Sequence, residues 1–425
     1  MSQSKLQQSI PLEQTKDGVC SQVNAYRNVL TFQEIQRLLK DSLNCDGEVQ
    51  KYFLRPYSEK LGFLGSHQQL SIEVKSKSGR VKTLFFFVKI VPFHVPSQAE
   101  YVINKKVFLK EKIFYYNIFP LLKKVYHGEP WSPNCYLAKE HLLVFDDLIV
   151  NGYSIKNKLF TKERVVSGLT AIARLHAASL MAEAHLGVSF KELYPDAFVE
   201  TSFDLTGQTG QWCNVTTNAI VAIAKHLGFD TSSLADICRE VTAALQTSVT
   251  KRNVISHGDL WGNNLMFSND APPKCLLVDY QMMRYSPLAH DVAQFLYLCT
   301  DRDFRAASEE AMLKHYYSVL CETLKSSEIS VEIPAWSEIV EGMEEQRLGG
   351  AITAASFFQT VMMNDTMALE ITSNSDTFHK YSFEGRNEIV LNMMKNDPNY
   401  GKRLTEAVTE LVELSARFEE LPKPT

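Results

Sequence analysis

The feature that most constrains the fold of this chain is a polar loop followed by two short apolar runs, between His257 and Gln281. The loop, HGDLWGNN, carries Asp259 and Asn264 five residues apart, and Asp279 follows the second apolar run, fifteen residues after Asn264. Two apolar runs separated by a short polar turn predict a β-hairpin. Because the first strand of a hairpin starts beside the point where the second one ends, Asn264 and Asp279 are expected to lie close together.

The three polar side chains of this segment suit a reaction on phosphates. Mg²⁺ binds few protein oxygens and takes its remaining ligands from phosphates and water, so Asn264 and Asp279 are its candidate ligands. Asp259 is then free to accept the proton of an attacking hydroxyl group. An H-x-D-x-x-x-x-N loop with a following Asp is the arrangement that kinases use for phosphoryl transfer. The alternative is a turn capped by Asp and Asn, but the spacing and the flanking strands favour the kinase interpretation.

Two charged residues upstream of this segment occur within apolar patterns. Lys89 interrupts a predicted strand, Val81–Val91, and Glu111 lies on the apolar face of a predicted helix. A buried lysine or glutamate is costly alone, and pairing the two removes both costs. Kinases need such an ion pair to hold the lysine on the α- and β-phosphates of ATP. The alternative is that both side chains extend along the surface into water.

The residue pattern divides the chain into a lead and two lobes. Residues 1–46 form a polar and helical lead, and residues 47–145 contain the segments with strand-like alternation. Residues 146–425 are dominated by helical periodicity and contain the loop and the hairpin described above. We therefore predict an α+β protein of two lobes, with a β-rich antiparallel N-terminal lobe and a larger helical C-terminal lobe.

Three helices are predicted from apolar periodicity outside the hairpin segment. A short amphipathic helix is expected over Phe32–Leu43, packed on the body of the protein. A second helix is expected over Ala99–Ile118, which Pro120 is expected to end. A third, over Glu163–Leu180, carries an apolar stripe on one face.

Composition excludes several classes of protein. The 44 lysines and arginines and the 49 aspartates and glutamates give a net charge of −5, which argues against a nucleic-acid partner. No run of about 18 apolar residues predicts a membrane span, and the first residues lack the apolar core of a secretory signal. The eight cysteines lie at least 22 residues apart, so the sequence contains no C-x-x-C pair. These observations predict a cytoplasmic protein with free thiols.

With these motifs the chain resembles the small-molecule kinases of the choline-kinase and aminoglycoside-phosphotransferase group, and within it the ecdysteroid-kinase-like branch. The resemblance extends from about Val49 to Leu320 and implies a protein-kinase-like fold, with ATP and Mg²⁺ as cofactors. The segments that carry it are F-x-x-E-x-x-x-Y (Phe108, Glu111, Tyr115), LVFDDL (Leu143–Leu148), ARLHAAS (Ala173–Ser179), HGDLWGNNLMF (His257–Phe267), LVDYQ (Leu277–Gln281) and SPLAHDVAQFL (Ser286–Leu296).

The resemblance also implies a role for individual residues. The implied site consists of a catalytic base (Asp259), two metal ligands (Asn264 and Asp279), a phosphate-binding lysine with its partner (Lys89 and Glu111) and an adenine slot (Phe145, Asp146 and Leu148). His257 and Asp291 would brace the catalytic loop without touching the substrate. A segment with only two glycines stands where kinases have a glycine-rich loop, and Gly65 and Ser66 are its candidate phosphate contacts. Tyr280 stands where the family usually has Phe.

The spacing of the motifs indicates a small-molecule acceptor. His176 and His257 are 81 residues apart, whereas protein kinases connect these two positions almost directly. Twelve residues separate Asp279 from Asp291, too few for an activation loop, and no A-P-E motif follows. No protein substrate is therefore expected, and the additional helices are expected to form the acceptor pocket.

An apolar helix predicted over Ala351–Leu369 bears on the identity of the acceptor. Its apolar residues occur on nearly all sides, which favours a buried core helix; the second interpretation is an apolar wall for a lipophilic alcohol. We predict ATP-dependent phosphorylation of a hydroxyl group on a small lipophilic molecule, an ecdysteroid or a hydroxylated xenobiotic. The alternatives are a choline- or ethanolamine-type kinase, and a non-catalytic ligand-binding protein on a kinase scaffold.

Overall fold

The computed structural model describes residues 29–43, 47–57, 62–156 and 159–425, so most of the predicted N-terminal lead lies outside the described residues. The N-terminal lobe combines one sheet with four helices. Its elements are α1 (Phe32–Leu43), β1 (Gly47–Pro56), β2 (Ser66–Ser76), β3 (Val81–Ile90), α2 (Pro96–Asn104), α3 (Val107–Ile113), a π-helical turn (Phe114–Ile118), α4 (Phe119–Val125), β4 (Cys135–Ala138) and β5 (Leu142–Asp146). The five strands pair antiparallel throughout, in the order β1-β2-β3-β5-β4.

The central strand β3 separates two environments. Phe86, Val88 and Ile90 are buried on one side of the sheet, together with the apolar face of α1. Phe87 and Lys89 point to the other side and line the cavity between the lobes. The predicted strand is therefore confirmed to within one residue, and the amphipathic helix over Phe32–Leu43 is confirmed as α1.

The single helix predicted over Ala99–Ile118 is wrong, because the chain forms α2, α3, the π-helical turn and α4 instead. Lys106 adopts a left-handed backbone conformation, with φ of 55°, which separates α2 from α3. Pro120 does not end the helical region, since it lies in the first turn of α4, where its missing N–H is not needed. The break lets α3 run under the sheet and place Glu111 beneath β3.

The C-terminal lobe, as far as the structure describes it, is mostly helical and has five short strands in a two-stranded and a three-stranded sheet. Its elements are β6 (Tyr153–Ser154), α5 (Lys162–Leu186), α6 (Phe190–Leu193), α7 (Gly207–His226), α8 (Leu234–Ala244), β7 (Asn253–Ser256), β8 (Leu265–Ser268), β9 (Cys275–Leu277), β10 (Arg284–Pro287), α9 (Leu288–Cys299), α10 (Arg302–Lys325), α11 (Trp336–Val361), α12 (Asp365–Thr372), α13 (Ser375–His379) followed by a π-helical turn (Lys380–Glu384), α14 (Asn387–Asn396) and α15 (Pro398–Ser415). The predicted two-lobed α+β class is confirmed, whereas the predicted lobe boundaries stay a prediction.

The helix predicted over Glu163–Leu180 is confirmed within α5, which continues to Leu186 and ends at Gly187 in the left-handed conformation. By length and composition α5 is apolar enough to cross a membrane, but 78% of its apolar window is buried inside the protein. Its packing is that of a central core helix, with α9 and α10 against it.

The helix predicted over Ala351–Leu369 is wrong at its C-terminal half. The helix α11 ends at Val361, and α12 starts after Asn364, whose side-chain oxygen accepts a hydrogen bond from the backbone N–H of Met367 at 2.9 Å. Asparagine at this position satisfies the free N–H groups of a new helix, so the chain restarts a helix there.

The hairpin predicted between the apolar runs is confirmed as β8 and β9. Leu265 pairs with Leu277, and the backbone N–H of Val278 donates to the carbonyl oxygen of Asn264 at 3.0 Å. This pairing places Asn264 beside Asp279, as the sequence predicts.

Candidate active site

A deep cavity between the lobes collects nearly all the residues predicted to be functional. The predicted site residues that line it are Gly65, Lys89, Glu111, Phe145, Asp146, Leu148, Asp259, Asn264 and Asp279. Ser66 is not among the lining residues, because the chain enters β2 at this point and His67 faces the cavity instead. We call the region around Lys89, Glu111, Asp259, Asn264 and Asp279 the polar end of the cavity.

Lys89 lies at the centre of the polar end. Its Nζ is 2.7 Å from Oε2 of Glu111 and 2.6 Å from Oδ1 of Asp279, and it donates to Oε1 of Gln281 at 3.3 Å. The predicted contact with Glu111 is thus confirmed, and the two further partners were not predicted. Burial alone would lower the pKa of Lys89, but the two carboxylates outweigh it and raise that pKa, so the ammonium stays charged.

Aromatic stacking holds the π-helical turn that follows α3 against the segment that carries Asp279. The rings of Phe114 and Tyr280 stack at 3.9 Å between centroids, with 14° between their planes. Tyr280 is fully buried. Asp279 itself has a left-handed backbone, with φ of 71°, which an aspartate tolerates better than most residues.

The loop that carries Asp259 has a shape that requires glycine at position 258. Gly258 has φ of +75°, and a Cβ there would overlap the backbone carbonyl of Met282. The amide of Asn264 donates to the backbone carbonyl of Asp259 at 2.8 Å, which fixes the loop from inside. Burial, together with the charge of Asp279, raises the pKa of Asp259 to about 7.

Asp291 braces this loop from α9. Its carboxylate accepts the backbone N–H groups of His257 and Gly258 at 2.6 and 2.9 Å and lies 3.2 Å from Nε2 of His176. Burial opposes ionisation, but the hydrogen bond from His176 and the nearby imidazoles lower the pKa of Asp291 to about 2. Asp291 and His257 are buried and do not line the cavity. The bracing geometry expected for both residues is present.

Asn264 and Asp279 offer the donor set that Mg²⁺ takes from a protein. The Nδ2 of Asn264 is used by the loop, which leaves its Oδ1 for a ligand, and both residues line the cavity. Within the described ranges, no group of three or more His, Cys, Asp or Glu side chains could hold a metal ion. Two oxygen ligands with the remainder from phosphate and water fit Mg²⁺, and do not fit a closed Zn²⁺ site.

The segment Phe145–Leu148 lines the cavity where β5 leaves the sheet. Asp146 turns away to Asn134 and Tyr136, with an oxygen of its carboxylate 2.6 Å from the Tyr136 hydroxyl. Asp147, which sequence reasoning missed, accepts hydrogen bonds from Tyr57 at 3.0 Å and from Gln69 at 2.7 Å. It therefore ties β1 and β2 to the hinge between the lobes.

The glycine-poor segment before β2 covers the polar end. Gly62, Phe63, Leu64 and Gly65 line the cavity, and the carbonyl of Phe63 accepts a hydrogen bond from Gln98 on α2 at 2.6 Å. Residues 58–61 lie outside the described residues. The segment is thus anchored to α2 as well as to β2.

The cavity continues beyond Asp259 into a region that we call the helical end. It is lined by residues of α2, α7, α8 and α11, by Lys105, by Ser202 and Phe203, and by Phe378 and Ser382. Phe357 and Val361 of α11 line it, whereas the three methionines after α11 and in α12 do not. Only the α11 part of that segment therefore lines the cavity, and its role as an apolar wall for the acceptor stays a prediction. No motif in the sequence pointed to Lys105.

Comparisons with known proteins bear on this site. The model of the ecdysteroid kinase-like family matches residues 62–329, and none of the curated proteins compared with the chain matches it significantly. Among solved structures, an ethanolamine kinase of Plasmodium vivax is 10% identical, covers 83% of this chain and 88% of its own, and has a TM-score of 0.43. A microcompartment-associated aminopropanol kinase is 12% identical to this chain. The match covers 90% of this chain and 97% of the aminopropanol kinase, with a TM-score of 0.41.

The family match spans more than half of the 425 residues and includes the motifs around Glu111, His257 and Asp279. Those motifs are the segments that the fold brings together around one cavity. The chain therefore belongs to the ecdysteroid kinase-like family and is a small-molecule kinase.

Proposed function

We propose that the protein transfers the γ-phosphoryl group of ATP to a hydroxyl group of a small lipophilic molecule, with an ecdysteroid or a hydroxylated xenobiotic as the leading candidate. Family membership implies ATP as the phosphoryl donor. The observation that carries the proposal is the continuity of one cavity from the polar end, past Asp259, to the largely apolar helical end. The γ-phosphoryl group of ATP and the hydroxyl group of the acceptor would meet at Asp259.

In this proposal each residue of the polar end has a chemical task. Asn264 and Asp279 would hold Mg²⁺, which neutralises charge on the phosphates when it is bound. Lys89, kept charged by its two carboxylates, would contact the α- and β-phosphates, while Glu111 holds its position. The backbone of Phe145–Leu148 would bind adenine at the hinge.

The reaction proposed at Asp259 is a direct displacement. The acceptor oxygen forms a bond to the γ-phosphorus, the bond from that phosphorus to the β,γ-bridging oxygen breaks, and ADP leaves. The hydroxyl proton passes to the Asp259 carboxylate, which its buried surroundings have already made more basic than usual. Burial of both carboxylate and hydroxyl keeps water from competing as the acceptor.

The choline- or ethanolamine-type alternative receives less support from the helical end. An ammonium group is recognised by carboxylates or by open aromatic faces. Aromatic rings line the helical end, but its described lining residues include no aspartate or glutamate, and the one formal charge among them is the cation of Lys105. The non-catalytic alternative is weakened by the arrangement of Lys89, Glu111 and Asp279 in direct contact.

The test is transfer of labelled phosphate from ATP to a panel of ecdysteroids, hydroxylated xenobiotics and amino alcohols. We expect labelled product with lipophilic alcohols, dependence on Mg²⁺, and loss of product with the Asp259→Asn variant. The control is Asp270→Asn, which changes an exposed aspartate in the β8–β9 turn and should retain full activity. Product only with choline or ethanolamine would contradict the proposed acceptor, and no transfer to any alcohol would contradict the proposed reaction.

A further inference from the structure

The helical end contains a buried cation that the proposed reaction does not use. Lys105 follows the last residue of α2, lines the cavity and is only 7% exposed. Its Nζ donates to the hydroxyl of Tyr101 at 3.1 Å, and it forms no ion pair with any described residue. An ammonium group carries three N–H donors, so two of them remain without an acceptor among the described residues. The spare donors of a buried ammonium group that lines a cavity are available to a ligand.

A second buried cation strengthens the positive field at this end. Arg386 is 1% exposed, and none of its three guanidinium nitrogens has a hydrogen-bond partner among the described residues. Its Cζ lies 5.3 Å from the ring of Trp212, and Nζ of Lys105 lies 5.8 Å from the same ring. The indole of Trp212, which lines the cavity, is therefore flanked by two cations, and no carboxylate lines this end within the described chain. In a low-dielectric cavity such a field acts strongly on a charged ligand.

Lys105 and Asp259 line the same cavity, so a group bound to Lys105 shares that cavity with the proposed base. An oxygen held by Lys105 would orient the rest of the acceptor and leave its reacting hydroxyl toward Asp259.

We infer that Lys105 is the specificity-determining residue of the acceptor pocket and donates its free N–H groups to an oxygen of the acceptor. This rests on the proposed function for the assignment of the helical end to the acceptor. The pocket would then rank acceptors by charge at the end that meets Lys105: a carboxylate best, a neutral hydroxyl or carbonyl next, and an ammonium group last. Charge-assisted hydrogen bonds favour the first, and repulsion in a poorly hydrated space excludes the last.

The test uses three steroids that share one hydroxylated ring system and differ only at the end of the side chain, in a carboxylate, a primary alcohol or a primary amine. Their dissociation constants are measured by calorimetry on the full-length protein with Mg²⁺ and ADP present. We expect the carboxylate to bind at least about tenfold more tightly than the amine, with the alcohol between them. Lys105→Met should bring the three constants together, and Lys105→Glu should reverse their order.

The matched control is Lys106→Met, which removes a neighbouring, half-buried lysine that does not line the cavity. It should keep the order of the parent protein. An unchanged melting temperature is required of each variant, and the affinity for Mg²⁺ with ATP is measured alongside the steroid binding. Should Lys105→Met fail this check, Lys105→Gln replaces it, because the amide keeps a donor for the Tyr101 hydroxyl.

Three results would overturn the inference. The first is a parent protein that binds the three steroids equally, and the second is an order that Lys105→Met leaves unchanged. The third is a loss of affinity for ATP in Lys105→Met with the steroid order retained, which would assign Lys105 to the nucleotide. Because the readout is binding, a protein that ranks the steroids as expected but transfers no phosphate would refute the proposed reaction and leave the charge-selective site standing.

Discussion

The polar end and the helical end of the cavity differ in whether a buried lysine is paired with carboxylates. At the polar end Lys89 lies between two carboxylates, and Asp291 behind it receives three N–H groups. At the helical end Lys105 has a hydroxyl group as its partner and no carboxylate among the residues that the structure describes. Charges that the protein itself pairs are held in fixed positions before any ligand binds. Catalysis requires such preorganised charges. A charge left unpaired needs the ligand to complete it, so it selects among ligands.

The largest effect is expected from Asp259→Asn, which tests whether the polar end performs the chemistry. The amide cannot accept the hydroxyl proton, so kcat should fall by roughly 10²- to 10⁴-fold while the affinity for Mg²⁺ with ATP is retained. Because burial disfavours the charged form of Asp259, the variant should melt at the same temperature or higher. Phosphate transfer at the parental rate would remove Asp259 from the role of base.

The Lys89–Glu111 pair tests whether the polar end is catalytic or merely structural. Lys89→Met strands the buried Glu111 and should cost about 3–5 kcal/mol of the free energy of unfolding. Glu111→Leu should lower the free energy of unfolding by less, because Lys89 keeps Asp279 as a partner at 2.6 Å. The double variant should recover stability and remain inactive, since the phosphates lose their lysine.

Urea unfolding and single-turnover phosphate transfer measure the two halves of this prediction. The control is Lys51→Met with Glu73→Leu, an ion pair on the exposed side of the sheet at 2.8 Å, which should change neither property appreciably. A double Lys89 and Glu111 variant with near-normal turnover would refute the catalytic assignment of both residues.

The polar end and the helical end also differ in how well their residues could be predicted from the sequence. Lys89, Asp259, Asn264 and Asp279 could be predicted because their spacing is tied to a strand, a loop and a hairpin, each with its own local pattern. Lys105 could not be predicted, because its significance lies in its position on the cavity wall, which depends on how the helices around it pack together. The break at Lys106 shows the same limit, since an apolar period continues through it and only tertiary packing turns the chain.

A smaller effect is expected from Lys110→Met, which compares two buried lysines five residues apart. Lys110 does not line the cavity; it donates to the carbonyl of Met283 at 3.1 Å, and burial lowers its pKa to about 7. Because the unfolded chain binds this proton up to about pH 10, Lys110 destabilises the protein most below pH 7, and the penalty fades as the pH rises. The variant should therefore gain on the order of 2–4 kcal/mol at pH 6.

The measurement is urea unfolding of parent and variant between pH 6 and pH 10. The stability difference should shrink steadily over that interval for Lys110→Met, whereas Lys105→Met should show no such trend, since the pKa of Lys105 is raised rather than lowered. A Lys110 difference that is independent of pH would show that this lysine stays charged in the fold. It would then need a partner as Lys105 does, and the contrast between the two would be lost.

The smallest effect concerns the segment that covers the polar end, where Gly65 and Ser66 were both predicted to contact phosphates. Gly65 lines the cavity, and a Cβ there would lie 2.8 Å from Nε2 of His67, which also lines the cavity, so the imidazole has to shift. Gly65→Ala should therefore weaken binding of Mg²⁺ with ATP by roughly fivefold, equivalent to about 1 kcal/mol. Ser66 begins β2 away from the cavity, so Ser66→Ala should change that affinity by less than about twofold. Calorimetry on both variants measures their affinity for Mg²⁺ with ATP. A loss of affinity in Ser66→Ala that equals or exceeds the loss in Gly65→Ala would contradict this prediction. It would mean that the segment before β2 shifts and brings Ser66 onto the phosphates when the nucleotide binds.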